Sequence, residues 1–100
     1  MTPGKIEYRF TAQVWQHTGV GGWHFASLPV KLSKEIRETF KTFEGGWGRL
    51  TCSALIGKTE WKTAIWFDSK KNCYLLPLKA EVRRKEKLQA EKKLRVTVFI

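Results

Sequence analysis

The chain has 100 residues and a mass of 11.6 kDa, the size of one folding unit, so a single domain over residues 1–100 is expected. Hydrophobic residues at 42% and aromatics at 13% exclude intrinsic disorder, and a count of two cysteines excludes a disulfide-dense scaffold. Nineteen Lys and Arg against nine Asp and Glu leave a net charge of +10. No apolar run approaches the ~18 residues that cross a bilayer. Met1-Thr2-Pro3-Gly4-Lys5 does not open like a secretory signal. A soluble, cytoplasmic protein with no membrane partner is therefore expected.

In chain order, the first segment alternates with period two. Ile6, Tyr8, Phe10, Ala12 and Val14 share one face, and Lys5, Glu7, Arg9, Thr11 and Gln13 share the other. That pattern is a half-buried strand. His17-Thr18-Gly19-Val20-Gly21-Gly22 supplies a turn, and Trp23 to Leu28 reads as the returning strand, halted by Pro29. Ser33 then suits a helix N-cap, Glu35 its first turn, and Ile36, Phe40 and Phe43 its apolar face. Gly45-Gly46 ends it.

Arg49 to Ile56 and Thr59 to Phe67 read as two strands about Gly57-Lys58. The polar turn Asp68-Ser69-Lys70-Lys71-Asn72 precedes a strand from Cys73 to Leu76, which runs into Pro77. A short basic helix follows from Lys79 to about Lys87. Leu94, Val96, Val98 and Ile100 alternate as a last strand. The fold class is mainly β: a small closed or double-split barrel of about six strands capped by two short helices.

The two halves echo one another. Leu28-Pro29-Val30-Lys31, a helix and a strand opening Arg49-Leu50-Thr51 are followed by Leu76-Pro77-Leu78-Lys79, a helix and a strand opening Arg95-Val96-Thr97. Two such halves can intertwine about a pseudo-twofold axis and close one barrel, which removes exposed sheet edges.

Several pieces together resemble a known family. They are Phe10-Thr11-Ala12, Gly22-Trp23-His24-Phe25 with Leu28-Pro29, and Ile56-Gly57 with Trp61-Lys62-Thr63. They continue with Tyr74-Leu75-Leu76-Pro77-Leu78-Lys79, Val82-Arg83 and Leu94-Arg95-Val96-Thr97-Val98. The family is a small bacterial and archaeal domain of unknown function, found alone or joined to YdeI/OmpD-associated (bacteriocin-protection) domains. The resemblance implies a double-split β-barrel similar to the AbrB and MazE type of swapped-hairpin DNA-binding domain, built here from one duplicated chain. It also implies a Gly-Asp turn before the last strand, where this chain has Glu91-Lys92. Glu tolerates positive φ poorly, so the residues themselves do not support a tight turn there.

Charge is concentrated late in the chain. Lys79, Arg83, Arg84, Lys85, Lys87, Lys92, Lys93 and Arg95 stand against Glu81, Glu86 and Glu91, so half the net +10 lies between residues 79 and 95. Such a segment attracts polyanions, and it also reads as a solvated helix face with an i,i+4 pair of Glu81 and Lys85.

No catalytic arrangement stands out. Asp68, the sole aspartate, suits a turn cap, and neither His17 nor His24 forms a recognisable dyad with a cysteine. A hydrolase using His24 or Cys73 is the third reading, and metal binding is a weaker idea still. Cys52 and Cys73 lack metal-ligand spacing and suit small buried hydrophobes better than a bridge or a zinc site, so neither metal nor cofactor is expected. The glycine runs match neither the Walker nor the dinucleotide pattern.

Five tryptophans are dense for 100 residues. Alternation sets Trp61 and Trp66 on opposite strand faces and Trp15 on a polar face, and exposed tryptophan beside Arg or Lys can stack bases. The expectation is a non-enzymatic binding domain of unestablished ligand, a monomer or weak dimer. Its contact surface joins Trp23, His24, Trp61, Lys62, Lys79, Arg83 and Arg84. The alternative is an AbrB-like nucleic-acid-binding regulatory module using the basic segment 79–95, and a protein partner is the further candidate.

Overall fold

The period-two segments become strands in the computed structural model, which describes residues 6–19 and 21–100. Lys5, expected on the polar face of the first strand, and Val20, in the first turn, lie outside the described residues. The strands are β1 (Glu7–Gln16), β2 (His24–Ser27), β3 (Arg49–Ile56), β4 (Thr59–Asp68), β5 (Cys73–Pro77) and β6 (Lys93–Phe99). Two helices, α1 (Val30–Phe40) and α2 (Ala80–Glu86), complete the fold.

Antiparallel pairing closes the six strands into a barrel in the order β1-β2-β5-β4-β3-β6, so every strand is hydrogen-bonded on both sides. The core comes from one face of each strand. Phe10, Ala12 and Val14 of β1 meet Leu50, Cys52, Ala54 and Ile56 of β3, Trp61 and Ile65 of β4, and Tyr74 and Leu76 of β5. Ile36 of α1 and Val82 of α2 join the same cluster. Burying these side chains contributes roughly 1.5–3 kcal/mol for each large one.

The intertwined duplication is visible in the pairing. Exchanging β1, β2 and β3 for β4, β5 and β6 reproduces the strand order. The Leu28 N–H donates to the Tyr74 carbonyl and the Leu78 N–H to the His24 carbonyl, both at 2.9 Å. The first helical bonds, Ser33 N–H to Pro29 carbonyl and Arg83 N–H to Lys79 carbonyl, correspond in the same way. Leu28 is thus equivalent to Leu78 and Pro29 to Lys79. The Leu-Pro echo pairs Leu28 with Leu76 and is out of register, because Ala26 faces Leu76 across the axis. The Arg-X-Thr echo fails similarly: Arg49 faces Trp66, whereas Arg95 faces Thr11.

Three local expectations change. Helix α1 begins directly after Pro29, whose ring presets the entry, and Ser33 lies inside the helix instead of capping it. Its fully buried hydroxyl accepts the Tyr74 N–H at 3.0 Å. The helix also ends at Phe40, passing through a 3-10 turn at Lys41–Phe43. Gly45 instead donates its N–H to the Arg49 carbonyl at 2.7 Å and leads the chain into β3. The tight turn before β6 does form, with Glu91 itself at φ 72°. Its N–H bonds the Val14 carbonyl at 2.6 Å, and that pairing holds the left-handed conformation in place.

Candidate functional site

Where inward residues build the core, the outward residues of β1, β2, β5 and β4 build a continuous aromatic face. Trp15 lies opposite Phe25, Phe25 opposite Pro77, and Leu75 opposite both Ser27 and Trp66. Trp23, just before β2, stacks on Phe25 with ring centroids 6.3 Å apart and planes 14° from parallel. Trp15 packs against the same ring at 5.0 Å. Between Trp23 and Trp66 lies an open groove of about 440 Å³, lined by His17, Trp23, Phe25, Trp66, Leu75 and Pro77.

The twofold gives Trp66 of the groove a mate, Trp15, in different surroundings. Trp15 and Trp66 are equivalent, as are Ser27 and Pro77. The Trp15 indole N–H donates to the Ser27 hydroxyl at 2.8 Å, and the Lys71 ammonium sits 3.6 Å from the Trp15 ring centroid. Beside Trp66 the corresponding position is proline, which has no hydroxyl to accept the indole N–H. Trp66 stays 37% exposed and Trp23 60% exposed. The Arg49 guanidinium lies 5.8 Å from the Trp66 centroid and donates to the Thr51 hydroxyl at 3.3 Å.

A cationic surface adjoins this face. Lys79 precedes α2, and Arg84 and Lys85 are exposed on the helix. Glu81 bonds Lys85 at 3.1 Å, and that bond, with the charges of Lys85, Lys79 and Arg84, holds its carboxyl below the usual range. Lys62 is exposed on the outer side of β4, opposite Ser53. Thr11, Pro29 and Lys34 line a single cleft of about 850 Å³ in the first half. Their counterparts by the strand pairing are Lys62, Lys79 and Arg84, all three exposed, with α2 packed against β4. Lys62 and Trp66 lie four residues apart on the same face of β4, roughly 13 Å at the rise of a strand.

The residues expected to form a contact surface thus divide. Trp23, Lys62, Lys79 and Arg84 are on the outside, but Trp61 is only 9% exposed and belongs to the core. His24 falls on the inward side with Ala26, and its buried Nδ1 has no hydrogen-bond partner among the described residues. Arg83 is half-buried, with its Nε donating to the Leu78 carbonyl at 3.1 Å, so it fastens the start of α2. Trp66, Phe25 and Arg49 were not among the expected site residues. Their signal was the alternation in β4: once Trp61 points inward, Trp66 must point outward.

The other candidates for chemistry lie apart. Cys52 and Cys73 are free thiols on opposite sides of the barrel wall, with Cys52 in the core and Cys73 on the outer side beside Ser27. Burial pushes the Cys52 thiol up to about 12, and burial together with Asp68 also raises Cys73. Neither is a thiolate near neutral pH, so neither is an activated nucleophile. Cys73 lies five residues along β5 from Leu78, the backbone partner of His24, a separation of roughly 16 Å. Among the described residues no three His, Cys, Asp or Glu side chains converge as a metal site.

No curated protein matches the chain. A family model described as a domain of unknown function matches residues 10–98, which takes in all six strands and both helices apart from the outermost ends of β1 and β6. The chain belongs to this family, DUF1905.

Proposed function

We propose that the chain is a non-enzymatic binding domain whose ligand is a nucleic acid, held through its phosphates by Lys62, Lys79 and Arg84. The observation that carries this reading is the exposure of Lys79 and Arg84, within the segment that holds half of the net +10, on a helix packed against the strand that bears the exposed Lys62. Clustered Lys and Arg displace counterions from a phosphate backbone, a favourable term that needs no sequence recognition. Only Glu81 opposes them in the first turn of α2, and Lys85 already neutralises it. The resemblance to swapped-hairpin DNA-binding domains supports the same class of ligand. Relative to the sequence expectation, this surface omits Trp61, which lies in the core, His24, which lies on the inward side of β2, and the half-buried Arg83.

Fluorescence anisotropy of labelled DNA and RNA at about 50 and 200 mM salt tests this. The expected result is binding that weakens steeply with salt, with a slope that falls by nearly one unit for each phosphate-contacting cation removed. Charge reversal of Lys79→Glu with Arg84→Glu should abolish binding at the higher salt. No binding at the lower salt, or binding indifferent to that double substitution, overturns the reading.

A further inference from the structure

Phosphate contacts give no use to the apolar groove between Trp23 and Trp66. Its walls are aromatic rings, its floor is Leu75 and Pro77, and its volume of about 440 Å³ lies within the range of sites that enclose small planar groups. A nucleobase fits this chemistry, since every base has a face that stacks on an indole or phenyl ring. In a duplex those faces are already stacked on their neighbours, so only an unpaired base can enter.

The rim favours an anionic strand over an apolar peptide. Arg49 stands at the Trp66 ring and Lys79 follows Pro77 by two residues. Along β4, Lys62 continues the same outward face. A strand with a base in the groove therefore meets cations on both sides of it. The twofold mate of Trp66 shows what the groove lacks: Trp15 has its N–H bonded and its ring covered from within the chain. At Trp66 the N–H has no such acceptor among the described residues, and a base carbonyl can supply one.

We propose that this groove receives an unpaired base by stacking on Trp66 and Trp23, so that the domain prefers single-stranded nucleic acid to duplex. This rests on the nucleic-acid reading above and names its substrate class. The test uses the full chain and a labelled 12-residue single strand of mixed sequence, with the same strand annealed to its complement as the second arm. The wild type should bind the single strand more tightly than the duplex. Trp66→Ala should weaken single-strand binding about tenfold or more, the usual loss for one stacked base, and leave duplex binding unchanged. Trp66→Phe, which keeps an aromatic face, should retain most of the affinity. Trp23→Ala, at a side chain that packs only on the surface, provides a second variant that does not threaten folding.

Failure of the inference is distinct from failure of the reading. Equal affinity for both forms, or a Trp66→Ala loss shared equally by single strand and duplex, removes the groove from recognition while the cationic surface stands. Absence of binding to either form removes both.

Discussion

Trp15 and Trp66 occupy equivalent positions in the two halves of the barrel and end in opposite states. Trp15 lies against Phe25 with its indole N–H bonded to Ser27 and Lys71 over its ring. Trp66 lies beside Leu75 and Pro77 with a groove on its open side. Serine against proline, phenylalanine against leucine, and Lys71 over one ring separate a covered tryptophan from an accessible one. The two halves thus share one strand plan and differ in what surrounds each tryptophan.

The first prediction follows from that pair. Ser27→Ala removes the acceptor of a half-buried indole N–H, which should cost about 1 kcal/mol of stability in urea denaturation. Single-strand affinity should not change, because Trp15 lies outside the groove. Trp66→Ala should show the reverse pattern, with stability close to wild type and single-strand affinity weakened. If Ser27→Ala leaves the denaturation midpoint unmoved, the Trp15 hydrogen bond contributes nothing and the asymmetry needs another cause.

Ser33 supports a second prediction. As an N-cap its loss would fray α1, but its hydroxyl instead accepts the N–H of Tyr74 across the barrel end at 3.0 Å. Ser33→Ala leaves that buried donor unsatisfied, at a cost of about 1–3 kcal/mol. The decisive readout is amide exchange. The Tyr74 N–H should lose protection in the variant, while the amides of Arg37 to Phe40 keep theirs. Frayed helix amides with a protected Tyr74 would return Ser33 to a capping role.

The turn before β6 gives a third. Glu91 is held at φ 72°, a left-handed conformation that costs a side-chain-bearing residue roughly 1–2 kcal/mol. Glycine adopts it freely but loses more entropy on folding, by roughly 0.5–1 kcal/mol. Glu91→Gly should therefore raise stability by about 0.5 kcal/mol, and β-branched Glu91→Val should lower it by more than 1 kcal/mol. Gly57, at φ 59° in the β3–β4 turn, behaves oppositely, since an added Cβ would be strained at that φ and would also displace the Glu86 carboxylate from the Thr59 hydroxyl. Gly57→Ala should be destabilising in thermal melts, and equal melting temperatures for Glu91→Gly and Glu91→Val would contradict the assigned turn.

Most of the barrel was legible because strand periodicity is local: Phe10, Ala12 and Val14 declare one face of β1, and Cys73 to Pro77 are bounded by a polar turn and a proline. The intertwined plan was legible from the order of elements. Residue equivalence was not, since it depends on the β2–β5 register, which no short motif encodes. Ser33 misled because a hydroxyl that caps locally and one that bonds a distant strand look alike in sequence. For the site, the basic surface was visible as composition, but the roles of Trp61 and Trp66 depend on which face of β4 meets the core. That is settled by the whole barrel.

Alkaline titration gives the last prediction. Burial pushes the Cys52 thiol up to about 12, against smaller opposing effects of a backbone bond at Ile65 and the charge of Arg49. Burial, with the Glu44 carboxylate bonded to its hydroxyl, also raises Tyr74 well above its ordinary range, against a smaller opposing effect of the Arg37 charge. In the unfolded chain a thiol ionises near about 8.5 and a phenol near about 10. Above those values the unfolded chain gains anions that the folded chain resists, so stability is full below about pH 8 and falls as pH rises toward 12. Each such group adds a slope approaching about 1.4 kcal/mol per pH unit. Urea midpoints measured from pH 7 to pH 10.5 should decline progressively. Cys52→Ala should start lower at pH 7, because it leaves a small cavity, yet decline less steeply between pH 9 and pH 10. Parallel declines in the two proteins would mean that the Cys52 thiol ionises as readily folded as unfolded, and would overturn the upward shift that burial gives it.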